Sequence, residues 1–237
     1  MSQTQFILSP VELDRSRHAA PQISEILRNH ILNLQLVPQT VLSRAELSEC
    51  FGVSLTPIRD ALLSLSAEGL VDIYPQHATT VSKIDIRKAK QAHFLRRSIE
   101  LEVVRTLAQQ HTEQQIYELE DSIALQKKAL ERNDWDTLSK TDKLFHQQMH
   151  RAVNVEELWQ LQQSSNGHLD RLRRLHLPET GKGERIIKEH EAIVQAIKNN
   201  DIPQAEQALR HHLSETLSHI TNICKLYPDY IRLDTIT

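Results

Sequence analysis

Glycine is scarce in this chain, five among 237 residues, and aromatic side chains make up only 4% of it. So few turn formers exclude a protein built mainly of β-hairpins. The abundance of Leu, Ala, Gln, Glu, Arg and Ile, all at home in helices, predicts a mainly α fold. Cysteine occurs twice, at Cys50 and Cys224. That spacing is no disulfide framework, and two small buried thiols in a reducing compartment are expected. No apolar run approaches the roughly 20 residues that span a bilayer, and the first residues lack the basic start, apolar run and cleavage site of a secretory signal. A soluble, cytoplasmic protein with no membrane partner is the expectation. Positive charge is not in excess either: 28 Lys and Arg stand against 31 Asp and Glu, a net charge of -3. A uniformly basic coat is thereby excluded, and any polyanion must be met locally.

Residues 21–36 place Ile23, Ile26, Leu27, His30, Ile31 and Leu34 at helical spacing, with Pro21 at the start and Pro38 as the stop. Ser43 caps a short second helix carrying Leu47 and Cys50. Gly52 then supplies a turn with positive φ, and Ser54 caps a third helix with Ile58, Ala61, Leu62 and Leu65 on one face. Pro57 falls in its first turn, where a missing N–H is harmless, and Gly69 ends it. Residues 70–74 and 79–83 are short and β-branched, a two-stranded hairpin around residues 75–78. Helix, short helix, turn, helix and hairpin is the order of a winged helix-turn-helix, in which the helix after the turn enters a DNA major groove.

From Asp85 the pattern turns to long helices over 85–110, 112–132, 134–152, 155–176, 182–198 and 202–226. Asn133, Asn154, the stretch 178–183, 199–201 and Pro228 mark their breaks. An antiparallel all-α helical bundle is expected, whose core can build ligand and metal sites from facing helices. The expected domains are residues 10–83 as DNA reader, 84–230 as effector, metal-binding and dimerisation domain, and 231–237 as a tail. Within the bundle, Asp142 and His146 stand four apart and so share one helix face, where a carboxylate and an imidazole can chelate one ion. With 13 histidines in the chain, such spacings also arise by chance.

The stretch Leu42-Ser43-Arg44-Ala45-Glu46-Leu47, then Phe51-Gly52-Val53-Ser54-Leu55-Thr56-Pro57-Ile58-Arg59-Asp60-Ala61-Leu62, then Leu65 and Ala67-Glu68-Gly69-Leu70-Val71, resembles the GntR family of bacterial transcription regulators. The second half is similar to the helical FCD effector domain of the FadR subfamily. Leu95-Arg96-Arg97-Ser98-Ile99-Glu100, Asp142-Lys143-Leu144-Phe145-His146, Glu189-His190-Glu191-Ala192-Ile193 and His211-His212-Leu213 carry that similarity. Two departures stand out: Leu55 where the family usually has Arg, and Gln76-His77 where the wing commonly carries Gly. Residues 1–80 hold five Arg against eight Asp and Glu, a net of 5 − 8 = −3, so the reader is acidic. Weak background binding to DNA, reliance on a few arginines and dimerisation follow.

The resemblance implies a ligand-responsive regulator, commonly a repressor, that binds a pseudo-palindromic operator of double-stranded DNA as a homodimer. Thr56 and Arg59 share the outward face of the recognition helix, and Arg59 suits a guanine edge or a phosphate. Arg44 suits a phosphate. Ser43 and Ser54 are caps first and phosphate contacts second, and His77 at the hairpin tip either touches DNA or has no role. The resemblance aligns His190 and His212 with Asp142 and His146 as metal ligands for Zn²⁺ or Ni²⁺, with Mn²⁺ or Fe²⁺ as further options. Arg96 either grips a small carboxylate effector, such as a sugar acid, hydroxy acid or dicarboxylate, or pairs with Glu100 one turn on. Two other functions remain open at this point: a metal-dependent hydrolase using the same Asp/His3 set, and a sensor of the metal itself. His93, His111, His150, His168, His176, His211 and His219 are expected to be surface or packing residues.

Overall fold

A computed structural model describes residues 10–74 and 78–232. They divide into two compact units, the first running to Ile86 and taking up the chain again from Leu226, the second spanning Arg87–Lys225. In the first unit, α1 (Ala19–Leu32), α2 (Arg44–Phe51) and α3 (Leu55–Ala67) enclose a core of Ile23, Leu27 and Ile31 from α1, Leu47 and Phe51 from α2, and Ile58, Leu62 and Leu65 from α3. These are the residues whose three-and-four spacing aligned them in sequence. Gly52 closes α2 with φ 62°, so the α2–α3 turn needs the left-handed freedom that glycine supplies at no steric cost.

Three local expectations change. Helix α1 ends at Leu32, because Leu34 itself adopts φ 59°; Pro38 lies beyond the helix and does not stop it. Ser43 caps α2 by accepting from the Glu46 amide at 3.4 Å, whereas Ser54 occupies the cap position of α3 without any side-chain cap hydrogen bond. Cys50 and Cys224 are part-buried rather than buried.

Strands β1 (Val71–Ile73) and β2 (Thr79–Val81) form the antiparallel hairpin, in register Val71↔Val81, Asp72↔Thr80 and Ile73↔Thr79. Two further strands escape periodicity because each has only two residues: β3 (Ile84–Asp85) and β4 (Ile231–Arg232) pair in parallel. Ile231 is buried there and Arg232 donates to Asp72 at 3.1 Å, so residues read from sequence as part of a tail are structured.

The second unit comprises the remainder of α4 (Ile86–Gln109), α5 (Glu113–Glu131), α6 (Trp135–Ala152), α7 (Glu156–Ser165), α8 (Gly167–His176), α9 (Lys182–Lys198), α10 (Ile202–Ser218) and the start of α11 (Ile220–Leu226). Asn133, Asn154 and Asn200 adopt φ of 54°, 59° and 54° just past the ends of α5, α6 and α9, the left-handed stop that asparagine tolerates best after glycine. Thr112 and Gln115 form a reciprocal capping box on α5, and Asp134 and Asp201 cap α6 and α10. The expected helix over 155–176 is broken at Asn166 into α7 and α8, and that over 202–226 at His219 into α10 and α11. Apolar periodicity runs through both breaks and conceals them. Val104, Leu107, Phe145, Met149, Ile193 and Leu209 centre the bundle core, which brings the inner faces of α4, α6, α9 and α10 together.

Candidate functional site

Asp142 and His146 leave α6 on the same side, one helical turn apart; His190 comes from α9 and His212 from α10. All four are buried, and one ligand atom from each lies within 4.8 Å of the others. Nε2 of His212 stands 3.2 Å from Nε2 of His146 and 3.2 Å from Nε2 of His190. The His190 ring is held flat against Phe145, with centroids 4.1 Å apart.

The far side of each ring sets where its proton sits. Gln126 donates its amide to the Thr141 carbonyl, which turns its Oε1 toward His190; His190 Nδ1 donates to that oxygen at 2.8 Å. His212 Nδ1 donates to Oε2 of Glu189 at 2.9 Å. His146 Nδ1 stands 2.9 Å from Oε2 of Glu100, off the line of a hydrogen bond, and a carboxylate that close demands a proton on that nitrogen. With all three protons on Nδ1, three Nε2 lone pairs face one another. Nitrogens held by one divalent ion at ~2.1 Å and separated by ~90–109° lie ~3.0–3.4 Å apart, which is the spacing of His212 from each of the other two rings. Asp142 completes the set: Oδ2 accepts from Arg173 at 2.6 Å, while Oδ1 is buried with no hydrogen-bond partner, 3.7 Å from His190 Nε2. The residues fit a transition ion held by one oxygen and three nitrogens, with Gln126, Glu189 and Glu100 fixing the rings from behind.

The electrostatics agree. Burial, and next the His212 ring, push His190 well below the usual histidine range; burial, and next the His146 ring, do the same to His212. Burial also lowers His146, against the pull of Glu100. Burial opposes ionisation of Asp142 and Glu100, yet Arg173 beside the first and Arg96 beside the second hold both carboxyls well below the carboxylate range. Neutral imidazoles with an ionised carboxylate are the protonation states that metal binding requires.

Arg96 is buried in the same unit, and its Nε donates to Glu100 Oε1 at 2.7 Å, so the intrahelical alternative is formed. Gln162 donates to the same oxygen at 3.0 Å. Arg96, Glu100 and His146 thus form one chain of charge and hydrogen-bonding groups leading to the histidine cluster. Sequence reasoning missed Gln126, Arg173 and Gln162, whose residue types on helix faces carry no motif. Of the histidines expected at the surface or in packing, His93, His150, His168 and His176 are buried.

In the reader, Arg44 at the start of α2 and Thr56 and Arg59 in the first turns of α3 are exposed, opposite the Ile58/Leu62 stripe. Ser43 is part-buried, Ser54 is exposed, and Leu55 presents an apolar side chain at 56% exposure. His77 lies outside the described residues.

Residues 19–81 match the family described as "Bacterial regulatory proteins, gntR family", and residues 91–215 match the FCD domain. The HTH-type transcriptional repressor RspR of Escherichia coli is 31% identical over 90% of this chain and 93% of its own. An HTH-type transcriptional regulator of Streptomyces ambofaciens is 34% identical over 89% of both. The solved structure of E. coli McbR/YncC superposes with a TM-score of 0.73 at 21% identity, covering 89% of this chain and 99% of that one, and so shares its fold. These matches leave no place for the hydrolase alternative. The chain belongs to the GntR family of bacterial transcription regulators, with a DNA-binding helix-turn-helix half and an FCD effector half.

Proposed function

We propose that this regulator is a repressor that binds a pseudo-palindromic operator as a homodimer, and that a small carboxylate bound in the helical unit releases it. The convergence of three Nε2 lone pairs on the unpartnered Oδ1 of Asp142 carries the reading of the effector site. Asp142, His146, His190 and His212 would hold a divalent transition ion, Zn²⁺ or Ni²⁺ being the best suited to three imidazoles and a carboxylate. The ion supplies Lewis-acid positions, beyond its four protein ligands, to a carboxylate oxygen. Arg96 would contribute the second grip through the N–H groups of its fork other than Nε, which stays on Glu100. Sugar acids, hydroxy acids and dicarboxylates have the matching chemistry.

At the other end of the chain, Arg59 and Thr56 are proposed to reach the major groove, with Arg44, Ser43 and Ser54 at the phosphate backbone and His77 at the wing. Two heads are needed, because one acidic head with five arginines gains little from phosphates. Phe94, 65% exposed, and Leu161, 56% exposed, leave apolar surface on the bundle for self-association. Repression accords with the description of the E. coli relative as a transcriptional repressor. The test is an operator titration with a panel of small carboxylates, run on metal-loaded and chelated protein. Release by one of them only from the loaded protein is expected; equal release from chelated protein would overturn the metal-borne effector site.

A further inference from the structure

A second cluster of metal-ligating groups lies in the helical unit, apart from the first. His176 ends α8, Glu179 follows in the loop, and His219 caps the C-terminus of α10. One ligand atom from each falls within 4.8 Å of the others. The two imidazole rings stand 4.3 Å apart between centroids. His176 is buried, with only 4% of its surface exposed, yet neither ring nitrogen makes a hydrogen bond. Its Nε2 is 2.6 Å from Oε2 of Glu179 but off the line of a bond, and the same Oε2 is 3.9 Å from Nδ1 of His219. As at His146, a carboxylate this close places a proton on Nε2, which leaves the buried Nδ1 with no partner; an ion taken up between Nε2 and Oε2 would displace that proton.

We propose that His176, Glu179 and His219 form a second site for a borderline divalent transition ion of the Zn²⁺ class. Two nitrogens and one carboxylate oxygen are a donor set that zinc accepts with one position left open. Burial, followed by the nearby Lys182 and His219, disfavours the imidazolium of His176, against the pull of Glu179. The surrounding charges leave room for a cation. Lys182 is engaged by Glu215, Arg185 also pairs with Glu215, and Arg185 faces Glu179 from Oε1 at 3.8 Å. Oε2 faces His176 and His219, and Arg185 is on the other oxygen. Glu179 and His219 are part-exposed and can close the remaining gap by side-chain rotation, which also makes this the more accessible and weaker of the two sites. An ion here would clamp the end of α8 to the end of α10. Those helices also carry Arg173, three residues before His176, and His212, seven before His219.

The site does not depend on the first being loaded, and stoichiometry separates them. Metal-stripped full-length protein is dialysed against Zn²⁺ at neutral pH and the ions per chain are counted. Wild type is expected to bind two, His219→Ala one, His190→Ala one and the double variant none, with Glu179→Gln weakening the second ion at least tenfold. Were the Asp142 site empty, wild type and His190→Ala would each bind one ion and His219→Ala none, which still supports the second site. Equal numbers of ions on wild type and His219→Ala would overturn it, and because His219 is part-exposed this variant does not depend on repacking the core.

Discussion

Arg173 on α8 donates to Oδ2 of Asp142 at 2.6 Å, so a guanidinium from one helix turns the other carboxylate oxygen of α6 toward three histidines. The pair is a balance as well as a positioning device, since the carboxylate is buried and Arg173 is its direct counter-charge. Replacing Arg173 by Met should destabilise the metal-free protein by about 2–3 kcal/mol, below the cost of breaking a fully buried pair because Arg173 retains 22% exposure. Added Zn²⁺ should recover part of the lost melting temperature by taking over the charge. Thermal melts with and without the ion check both, and a loss that Zn²⁺ leaves untouched would separate Arg173 from the site.

Gln126 has no charge, but it holds the proton of His190 on Nδ1. Gln126→Leu should therefore lower metal affinity about 10- to 100-fold, the usual cost of losing a ligand's supporting hydrogen bond. Competition with a chromophoric chelator measures it, and wild-type affinity in the variant would mean that the ring is oriented by packing on Phe145 alone.

How much of this was legible beforehand differs by residue. Asp142 and His146 share a face by arithmetic, because four residues make one turn. His190 and His212 lie on other helices, and only the resemblance placed them with the first two. Gln126 and Arg173 could not be read at all: a glutamine and an arginine on amphipathic helices look like any solvated face until the helices pack. The fold was legible where periodicity was long, as in α4 to α6, and where Asn or Gly ended a helix. It failed at Asn166, where apolar spacing continues across the break, and at Ile231, whose two-residue strand has no period.

Acidity should weaken the metal-free protein in a defined window. His190 and His212 have folded-state values depressed by burial, so the unfolded chain takes up protons near its ordinary value of about 6.5 while the native state does not. Their contribution is present above that pH and lost as pH falls from about 6.5 toward the depressed values, at up to ~1.4 kcal/mol per pH unit for each histidine. The lowered carboxyls of Asp142 and Glu100 act in the same direction at lower pH. Melting temperature against pH should fall below about 6.5 in wild type, and less steeply in His212→Gln. Identical slopes would show that these rings titrate freely.

On the DNA side, Arg59→Ala should cost about 1–3 kcal/mol at the operator and relax preference at one position of each half-site, if the guanidinium reads a base edge. The salt dependence of wild-type binding should be shallow for a DNA-binding regulator, given the net negative reader head. Footprinting titrations at two ionic strengths give both numbers; unchanged affinity in the variant would remove Arg59 from the interface.

Whether Asp142, His146, His190 and His212 hold a metal is answered most directly by anomalous diffraction from crystals of the full chain grown with Zn²⁺, recorded at the zinc edge. A peak is expected about 2.0–2.2 Å from Oδ1 of Asp142 and from Nε2 of each histidine, with the Gln126, Glu189 and Glu100 contacts retained behind the rings. Absence of any peak there, with the three Nε2 atoms still facing one another in protein saturated with Zn²⁺, would contradict the metal site and the effector mechanism built on it.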